Sequence, residues 1–128
     1  MPVTVAEIMK PVRVVLDEGA QMARVEAELR IADVRHVLIT NEYGRLSGIL
    51  SRGDVMRALA QASGGAVTGH MTRRVYTVRP DDPAVKAVDL MIERNVGAIP
   101  VLDDDDRPVG MVTETAVLER ARTALAGA

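Results

Sequence analysis

The 128-residue sequence contains no cysteine, no phenylalanine and no tryptophan, and it has two tyrosines, Tyr43 and Tyr76. Without cysteine there is no disulfide framework, no thiolate nucleophile and no cysteine-based zinc site. The scarcity of aromatic rings means that the core must consist of Val, Ile, Leu, Met and Ala. A chain of this length buries roughly two-thirds of its unfolded surface, so it needs neither a disulfide nor a metal to fold.

Charge surplus and long apolar segments are lacking as well. The 16 basic and 18 acidic side chains give a formal net charge of −2, whereas a dedicated nucleic-acid binder usually carries a basic surplus. No apolar run approaches the roughly 20 residues that cross a bilayer. Met1–Glu7 has neither the basic start nor the apolar segment of a signal peptide. We therefore expect a cytoplasmic protein that binds neither nucleic acid nor membrane.

An internal repeat of 62 residues is the strongest signal in the sequence. Gly48–Ser51 matches Gly110–Thr113, and the same shift aligns the two halves without a gap. Self-similarity at a fixed period predicts two copies of one supersecondary unit, here residues 1–62 and 63–128 with a linker at 62–66. Further matched pairs are Val5 and Val67, Met9 and Met71, Leu29 and Met91, Val34 and Val96, Arg45 and Arg107, and Val55 and Val117.

Each half predicts the order strand, helix, strand, strand, helix. The first strands are the β-rich runs Val12–Leu16 and Val75–Val78. Apolar residues spaced by three and four then indicate a helix with one buried face, and Asp82 followed by Pro83 is typical of a helix start. The stripes are Met22, Val25, Leu29 and Ala32 in the first half, and Ala84, Ala87, Val88, Met91 and Ile92 in the second.

A hairpin and a last helix complete each half. The turns 41–45 and 103–107 contain residues that tolerate positive φ or bond their own backbone. The flanking strands are His36–Thr40, Leu46–Leu50, Ala98–Leu102 and Pro108–Val112, and the last helices are Arg52–Gln61 and Glu114–Leu125. A three-stranded unit of this size cannot cover both faces of its own sheet. We therefore expect an α/β (α+β) fold in which two β-α-β-β-α units pack sheet to sheet with pseudo-two-fold symmetry.

The ordered set of motifs resembles a tandem pair of CBS domains, a Bateman module, over nearly the whole chain. The segments that carry the resemblance are Val5–Met9 and Gly48–Asp54 in the first half, and Val67–Met71, Ala98–Asp103 and Gly110–Thr113 in the second. The resemblance implies a regulatory module, often homodimeric, that acts on an effector protein. Its clefts between repeats take AMP, ADP, ATP or S-adenosylmethionine as a regulatory ligand, and no cofactor is required.

The resemblance also implies which residues bind the ligand. In the family, a Gly-x-x-[Ser/Thr]-x-x-[Asp/Asn] segment opens the last helix of a repeat. Its acid binds both ribose hydroxyls, its hydroxyl approaches phosphate, and an apolar-Thr-apolar strand of the other repeat lines the cleft. Ala98 stands where relatives often have a basic residue, so Arg52 or Arg79 would have to serve the phosphate. The implied ligand-binding residues are Gly48, Ser51, Arg52, Asp54, Tyr76, Thr77, Val78, Ala98, Ile99 and Pro100.

The corresponding second cleft departs from this pattern. Val15 replaces the threonine, and Ala116 follows Thr113 where the acid would stand. We expect this cleft to bind nucleosides weakly or not at all. The departures also favour an alternative function, a ligand-free interaction or dimerisation module.

Simpler interpretations exist for several residues. Ser51-x-x-Asp54 is also a helix capping box. The run Asp103–Asp106 lacks the spaced ligands of a calcium loop, and a solvated turn is the favoured interpretation. His36 and His70 have no paired ligand spacing, so structural roles are favoured. The sequence contains no nucleophile elbow, Walker loop, dinucleotide fingerprint or zincin motif, and we expect no enzymatic activity.

Overall fold

The computed structural model describes residues 2–61 and 65–127, which form a mixed α+β fold. The predicted boundary between residues 62 and 63, and residues 62–64 of the predicted linker, lie outside the described residues. No helix in the described part of the chain is long and apolar enough to cross a membrane. The elements are α1 (Val5–Ile8), β1 (Val15–Asp17), α2 (Met22–Ala32), β2 (His36–Thr40), β3 (Leu46–Ser51), α3 (Arg52–Ala60), a 3₁₀ turn (Val67–Gly69), α4 (Ala84–Arg94), β4 (Ala98–Leu102), β5 (Pro108–Thr113) and α5 (Glu114–Ala126).

The predicted element order is confirmed in the first repeat, where β1 pairs in parallel with β2 and β2 pairs antiparallel with β3. In the second repeat, the predicted strand Val75–Val78 does not form. Val78 alone bridges Val101, with Val78 N–H donating to the Pro100 carbonyl at 3.1 Å. The reason lies in β4, because Pro100 occupies the position of Leu38, whose N–H donates to the Val14 carbonyl. Proline has no N–H, so the ladder loses this bond.

The chain folds into two compact units that do not coincide with the two sequence repeats. One is Val12–Val75, here called the first-repeat unit, and the other is Met1–Pro11 with Tyr76–Ala128, the second-repeat unit. Val67 and Met71 therefore belong to the core of the first-repeat unit, while Val5 and Ile8 belong to the core of the second-repeat unit. Each core thus includes the N-terminal segment of the other repeat.

Backbone hydrogen bonds and a methionine hold each of these N-terminal segments on a β-strand. Thr72 and Ile49 exchange two N–H···O bonds of 2.9 and 3.0 Å. Beside this bridge Met71 lies directly on Gly48, where a Cβ atom would be 2.5 Å from the Met71 Sδ. The second-repeat unit has the same arrangement. Lys10 and Met111 exchange two N–H···O bonds, and Met9 lies on Gly110. Glycine is therefore required in both strands by the close approach of a methionine.

The two hairpin turns share one geometry, and they confirm the interpretation of the acidic run as a turn. Asn41 Oδ1 accepts from two backbone N–H groups, and Asp103 Oδ1 accepts from those of Asp105 and Arg107 at 2.8 and 3.0 Å. The matched residues Gly44 and Asp106 have φ of 78° and 62°. The Asp103 carboxylate is thus engaged by its own turn.

The start of α4 differs from its prediction. The helix begins at Ala84, and Pro83 is the extended residue before it, so Asp82 does not cap the helix. The Ala84 N–H donates instead to the Val3 carbonyl at 2.7 Å. A backbone carbonyl from the exchanged N-terminal segment therefore fulfils the capping function, and Asp82 is left to accept from the Arg79 N–H at 2.8 Å.

Hydrogen bonds from the backbone lower the pKa of three carboxylates, all of them in the second-repeat unit. They are Glu7, Asp82 and Asp103, and the largest cause in each case is one backbone N–H, donated by Thr4, Arg79 and Arg107 respectively. A lowered folded-state pKa stabilises the fold at pH above the unfolded-state value, and this contribution is lost as the pH falls through the folded value. The second-repeat unit therefore becomes less stable on acidification.

We expect the urea midpoint of unfolding to fall as the pH is lowered below about 4, and Asp82→Asn to make this fall shallower. The usual Asp pKa is 3.8, and the amide that replaces the carboxylate keeps an acceptor for the Arg79 N–H without titrating. The measurement is urea unfolding between pH 6 and 3. Asp89→Asn, on the exposed side of α4, is the matched control and should leave the slope unchanged. Equal slopes in both variants would contradict the assignment to Asp82.

Candidate ligand-binding site

The segment from Gly48 to Asp54 contains four of the predicted ligand-binding residues, and three of them, Ser51, Arg52 and Asp54, lie at the junction between β3 and α3. Strand β3 ends at Ser51 and α3 begins at Arg52. Ser51 Oγ accepts from the Asp54 N–H at 3.1 Å, and the Asp54 Oδ2 accepts from the Ser51 N–H at 3.0 Å. The predicted capping box is thus confirmed. It fixes the orientation of the Asp54 carboxylate at the start of the helix.

The Asp54 carboxylate still has acceptor capacity beyond the helix cap. Its Oδ1 accepts from the Arg57 Nη2 at 2.5 Å, and 32% of the side chain is exposed. An ionised carboxylate offers about four lone-pair positions, of which Ser51 and Arg57 occupy two. The sequence reasoning missed Arg57, although its spacing of three residues from Asp54 on a helix is the signal that could have found it.

Arg52 points toward the end of α2. Its Nη2 donates to the Val34 carbonyl at 2.8 Å and lies 3.7 Å from the Asp33 Oδ1. Asp33 has left-handed backbone geometry, with φ of 53°, and ends the helix. A guanidinium at this position neutralises the negative end of the helix dipole and satisfies a terminal carbonyl. In this conformation Arg52 stabilises the first-repeat unit.

The other six predicted residues lie in the second-repeat unit. Val78 is buried. Its N–H donates to the Pro100 carbonyl, so the segment Tyr76–Val78 lies alongside β4. Thr77 is half-buried, and Tyr76 is 41% exposed with the Arg94 guanidinium 5.4 Å from its ring centroid. Ala98, Ile99 and Pro100 are buried in β4.

The position matched to Asp54 has a cap but no carboxylate. Thr113 Oγ1 accepts from the Ala116 N–H at 3.2 Å, so Thr113 caps the start of α5. Ala116 is buried, so the position matched to Asp54 offers no side-chain acceptor for a pair of hydroxyl groups. The expected weakness of a second site remains a prediction.

The comparison of the chain with known families gives two matches to one family. The model described as CBS domain matches residues 5–61 and 65–122. These two matched segments follow the sequence repeat.

Two solved structures have the same fold as this chain. The CBS domain pair of protein MJ0100, in complex with 5′-methylthioadenosine and S-adenosyl-L-methionine, superposes with a TM-score of 0.90 at 27% identity, covering 97% of this chain and 99% of that one. The cytosolic domain of the Mg²⁺ channel MgtE, in complex with ATP, has a TM-score of 0.82 at 29% identity, covering 92% of this chain and 48% of that one.

Among curated proteins, the homoserine O-acetyltransferase of Methanohalobium evestigatum is 29% identical over 109 residues, which is 85% of this chain and 22% of that protein. The chain spans 16% to 22% of the length of the first four curated relatives that it matches. Some relatives are therefore much longer proteins, and enzymes are among them.

Proposed function

Because the chain belongs to the CBS domain family, we propose that it binds an adenosine-type ligand and acts as a regulatory module without catalysing a reaction. The adenosine compounds bound to MJ0100 and MgtE support this ligand class. We further propose that a second copy of the chain or an effector protein responds to the bound state. A ligand can shift such an equilibrium only by its difference in affinity between the two states.

The Asp54 carboxylate carries this proposal. It is held by the Ser51 N–H at 3.0 Å and is one-third exposed, so it is oriented before a ligand arrives. Its two remaining lone-pair positions match in number the two hydroxyl donors of a ribose. Hydrogen bonds to a charged acceptor are stronger than those between neutral groups. We propose that Asp54 binds both ribose hydroxyls.

The other proposed contacts have smaller roles. Gly48 lets the chain pass beside Met71, and Ser51 fixes the carboxylate. Thr77, supported by the neighbouring Tyr76 and Val78, and the apolar residues Ala98–Pro100 are proposed to contact the same ligand. Arg52 can take part only by leaving the Val34 carbonyl, to which it donates in this structure.

The test of the proposed function is Asp54→Asn, which we expect to weaken adenosine binding about 100-fold or more. Two charge-assisted hydrogen bonds at about 1.5–3 kcal/mol each support this magnitude. Asn retains an acceptor for the Ser51 N–H, so the helix cap and the thermal midpoint should change little. Isothermal titration calorimetry with adenosine, 5′-methylthioadenosine, S-adenosylmethionine, AMP and ATP gives both affinity and stoichiometry, expected at one ligand per chain.

Two controls make this titration decisive. Asp104→Asn changes an exposed carboxylate in the β4–β5 turn and should leave affinity unchanged. Thr77→Val removes one hydroxyl at nearly constant volume and should weaken binding modestly. Unchanged affinity in Asp54→Asn would refute the assignment of the ribose site. If none of the five compounds bound the wild-type protein, the ligand-free interaction module would be the supported function.

A further inference from the structure

We infer that Arg79 is a positioning residue, which holds the segment Tyr76–Val78 on β4 and does not serve a ligand phosphate. The resemblance to the family left Arg79 as one of two candidate cations for a phosphate. Its guanidinium instead bonds to other residues of the second-repeat unit. In its effect on ligand binding this role rests on the proposed function, in which Thr77 contacts the ligand, whereas the hold on the segment needs no ligand.

The backbone attaches this segment to β4 less completely than it attaches β1 to β2 in the first repeat. All three residues of β1, Val15–Asp17, pair with β2. In the second repeat, the described residues give one bridge, between Val78 and Val101. Val78 donates to the Pro100 carbonyl at 3.1 Å and accepts from the Leu102 N–H at 2.9 Å. Because Pro100 has no N–H to offer the preceding part of the segment, further attachment must come from side chains.

Arg79 supplies this attachment from the position directly after Val78. Its Nη1 donates to the Asp103 carbonyl, and its Nη2 donates to Asp106 Oδ1 at 2.9 Å. Both acceptors lie in the turn that follows β4. The turn itself is fixed, because Asp103 Oδ1 accepts from two backbone N–H groups of the same turn. A planar guanidinium suits two acceptors at once, so one side chain joins the end of the segment to the end of β4.

The matched position in the first repeat has a side chain of opposite charge. Asp17 is the residue matched to Arg79, and its Oδ1 accepts from the Gly19 N–H at 2.9 Å. Asp17 also pairs with Thr40 in the ladder. The repeat with the complete ladder thus has an acid that bonds locally, and the repeat with one bridge has an arginine that reaches across to the turn. This contrast indicates that the arginine compensates for the lost ladder bond.

A phosphate would compete with this attachment. To bind an anion, the guanidinium would have to leave the Asp103 carbonyl and the Asp106 carboxylate, and the segment that contains Thr77 would lose its hold. The phosphate would also meet the carboxylates of Asp106 and Asp82, and the latter accepts from the Arg79 N–H at 2.8 Å. Like charges at close range repel one another. Arg79 therefore acts on the ligand through Thr77 and not by direct contact.

Hydrogen exchange of the ligand-free full chain tests the hold on the segment. We expect Arg79→Ala to raise the exchange rates of the Val78 and Leu102 amides about 5-fold or more, because a charge-assisted bond is lost from a segment with few others. Lysine keeps the charge but lacks the planar fork, so Arg79→Lys should recover part of the protection. Arg122→Ala, at an exposed position of α5 in the same unit, is the control and should leave both rates unchanged. Unchanged rates in Arg79→Ala would overturn the inference.

Calorimetry with adenosine and ATP separates positioning from phosphate binding. We expect Arg79→Ala to weaken the binding of both ligands by the same factor, about 3-fold or more, since a smaller fraction of the protein holds the segment in place. A residue that bound phosphate would give a loss for ATP at least about 10-fold greater than for adenosine. That result, or unchanged affinity for both ligands, would overturn the inference. If neither ligand bound the wild-type protein, the proposed function would fail, and the exchange rates alone would decide whether Arg79 holds the segment.

A second variant removes a partner of Arg79 without straining the turn. Asp106 has a left-handed φ of 62°, and its matched residue is Gly44, so glycine suits this position. Asp106→Gly should raise the same exchange rates by a smaller factor, because the Asp103 carbonyl still accepts from Arg79. Asp104→Gly makes the same replacement at an exposed position of this turn and should leave the rates unchanged. Adding Asp106→Gly to Arg79→Ala should have little further effect, and full multiplication of the two effects would contradict the joint action of these side chains.

Discussion

Val5→Asp is expected to destabilise the second-repeat unit by about 4 kcal/mol or more, although Val5 belongs to the first sequence repeat. Val5 is fully buried among Val78, Ile99 and Val112. A carboxylate placed there would lose its hydration without gaining a partner, which is among the most costly changes in a core. Because whole domains are stable by only about 5–15 kcal/mol, most of the stability of this unit would be lost.

Hydrogen exchange shows which unit is affected. Amides of β4 and β5 should lose protection to a greater extent than those of β2 and β3, because the core that contains Val5 is the core behind β4 and β5. The control is Ala6→Asp, which places the same side chain on the exposed neighbour of Val5. It should change stability little, since a carboxylate is favourable in the first turn of a helix. Preferential loss of protection in β2 and β3 after Val5→Asp would contradict the exchanged arrangement.

Gly48→Ala is expected to cost up to about 3 kcal/mol of unfolding free energy while adding only one methyl group. The new Cβ would lie 2.5 Å from the Sδ, 2.7 Å from the Cγ and 3.1 Å from the Cβ of Met71. The sulfur can move to another rotamer, but the Cβ can move only with its backbone. That backbone is fixed, because the Thr72 N–H donates to the Ile49 carbonyl at 2.9 Å.

The same substitution at a nearby glycine is the matched control. A Cβ on Gly53 would meet Arg57 Nη1 at 3.5 Å and Ser51 Oγ at 3.7 Å, both ordinary contacts. Gly53→Ala lies within α3 and should be neutral or stabilising, because alanine favours helices. Urea unfolding of both variants gives the comparison. Met71→Ala costs stability of its own because Met71 is buried, but the double variant Gly48→Ala with Met71→Ala should lose less than the sum of the two single losses. A fully additive double variant would show that the two residues do not interact.

The sequence predicted local structure well because local structure depends on local patterns. The bounds of β2 and β4 agree with the structure, and the turn at Asp103 uses the side-chain bonds expected of its residues. The capping box of Ser51 and Asp54 was also visible as a spacing of two residue types. In each of these cases the interacting groups are close in sequence, so the chemistry can be derived from neighbouring residues.

The remaining features depend on contacts between residues far apart in the chain. The sequence shows that Val5 is apolar, but it does not show which of the two cores contains Val5. The direction of Arg52 depends on the carbonyl of Val34, which becomes available only when α2 ends beside α3. The missing strand at Val75–Val78 is an intermediate case. Pro100 is visible in the sequence, but its effect on strand pairing depends on the register between β4 and the distant segment Val75–Val78.

The exchange of N-terminal segments has a consequence for how such a molecule arises. Each 62-residue copy lacks one piece of its own core, supplied in this chain by Val67 and Met71 for one unit and by Val5 and Ile8 for the other. A single ancestral copy would complete its core only by trading this piece with a second molecule, as in domain swapping. Gene duplication and fusion then convert an association that depends on protein concentration into an intramolecular one. The identical spacing of the matched residues is the trace that such an event leaves in the sequence.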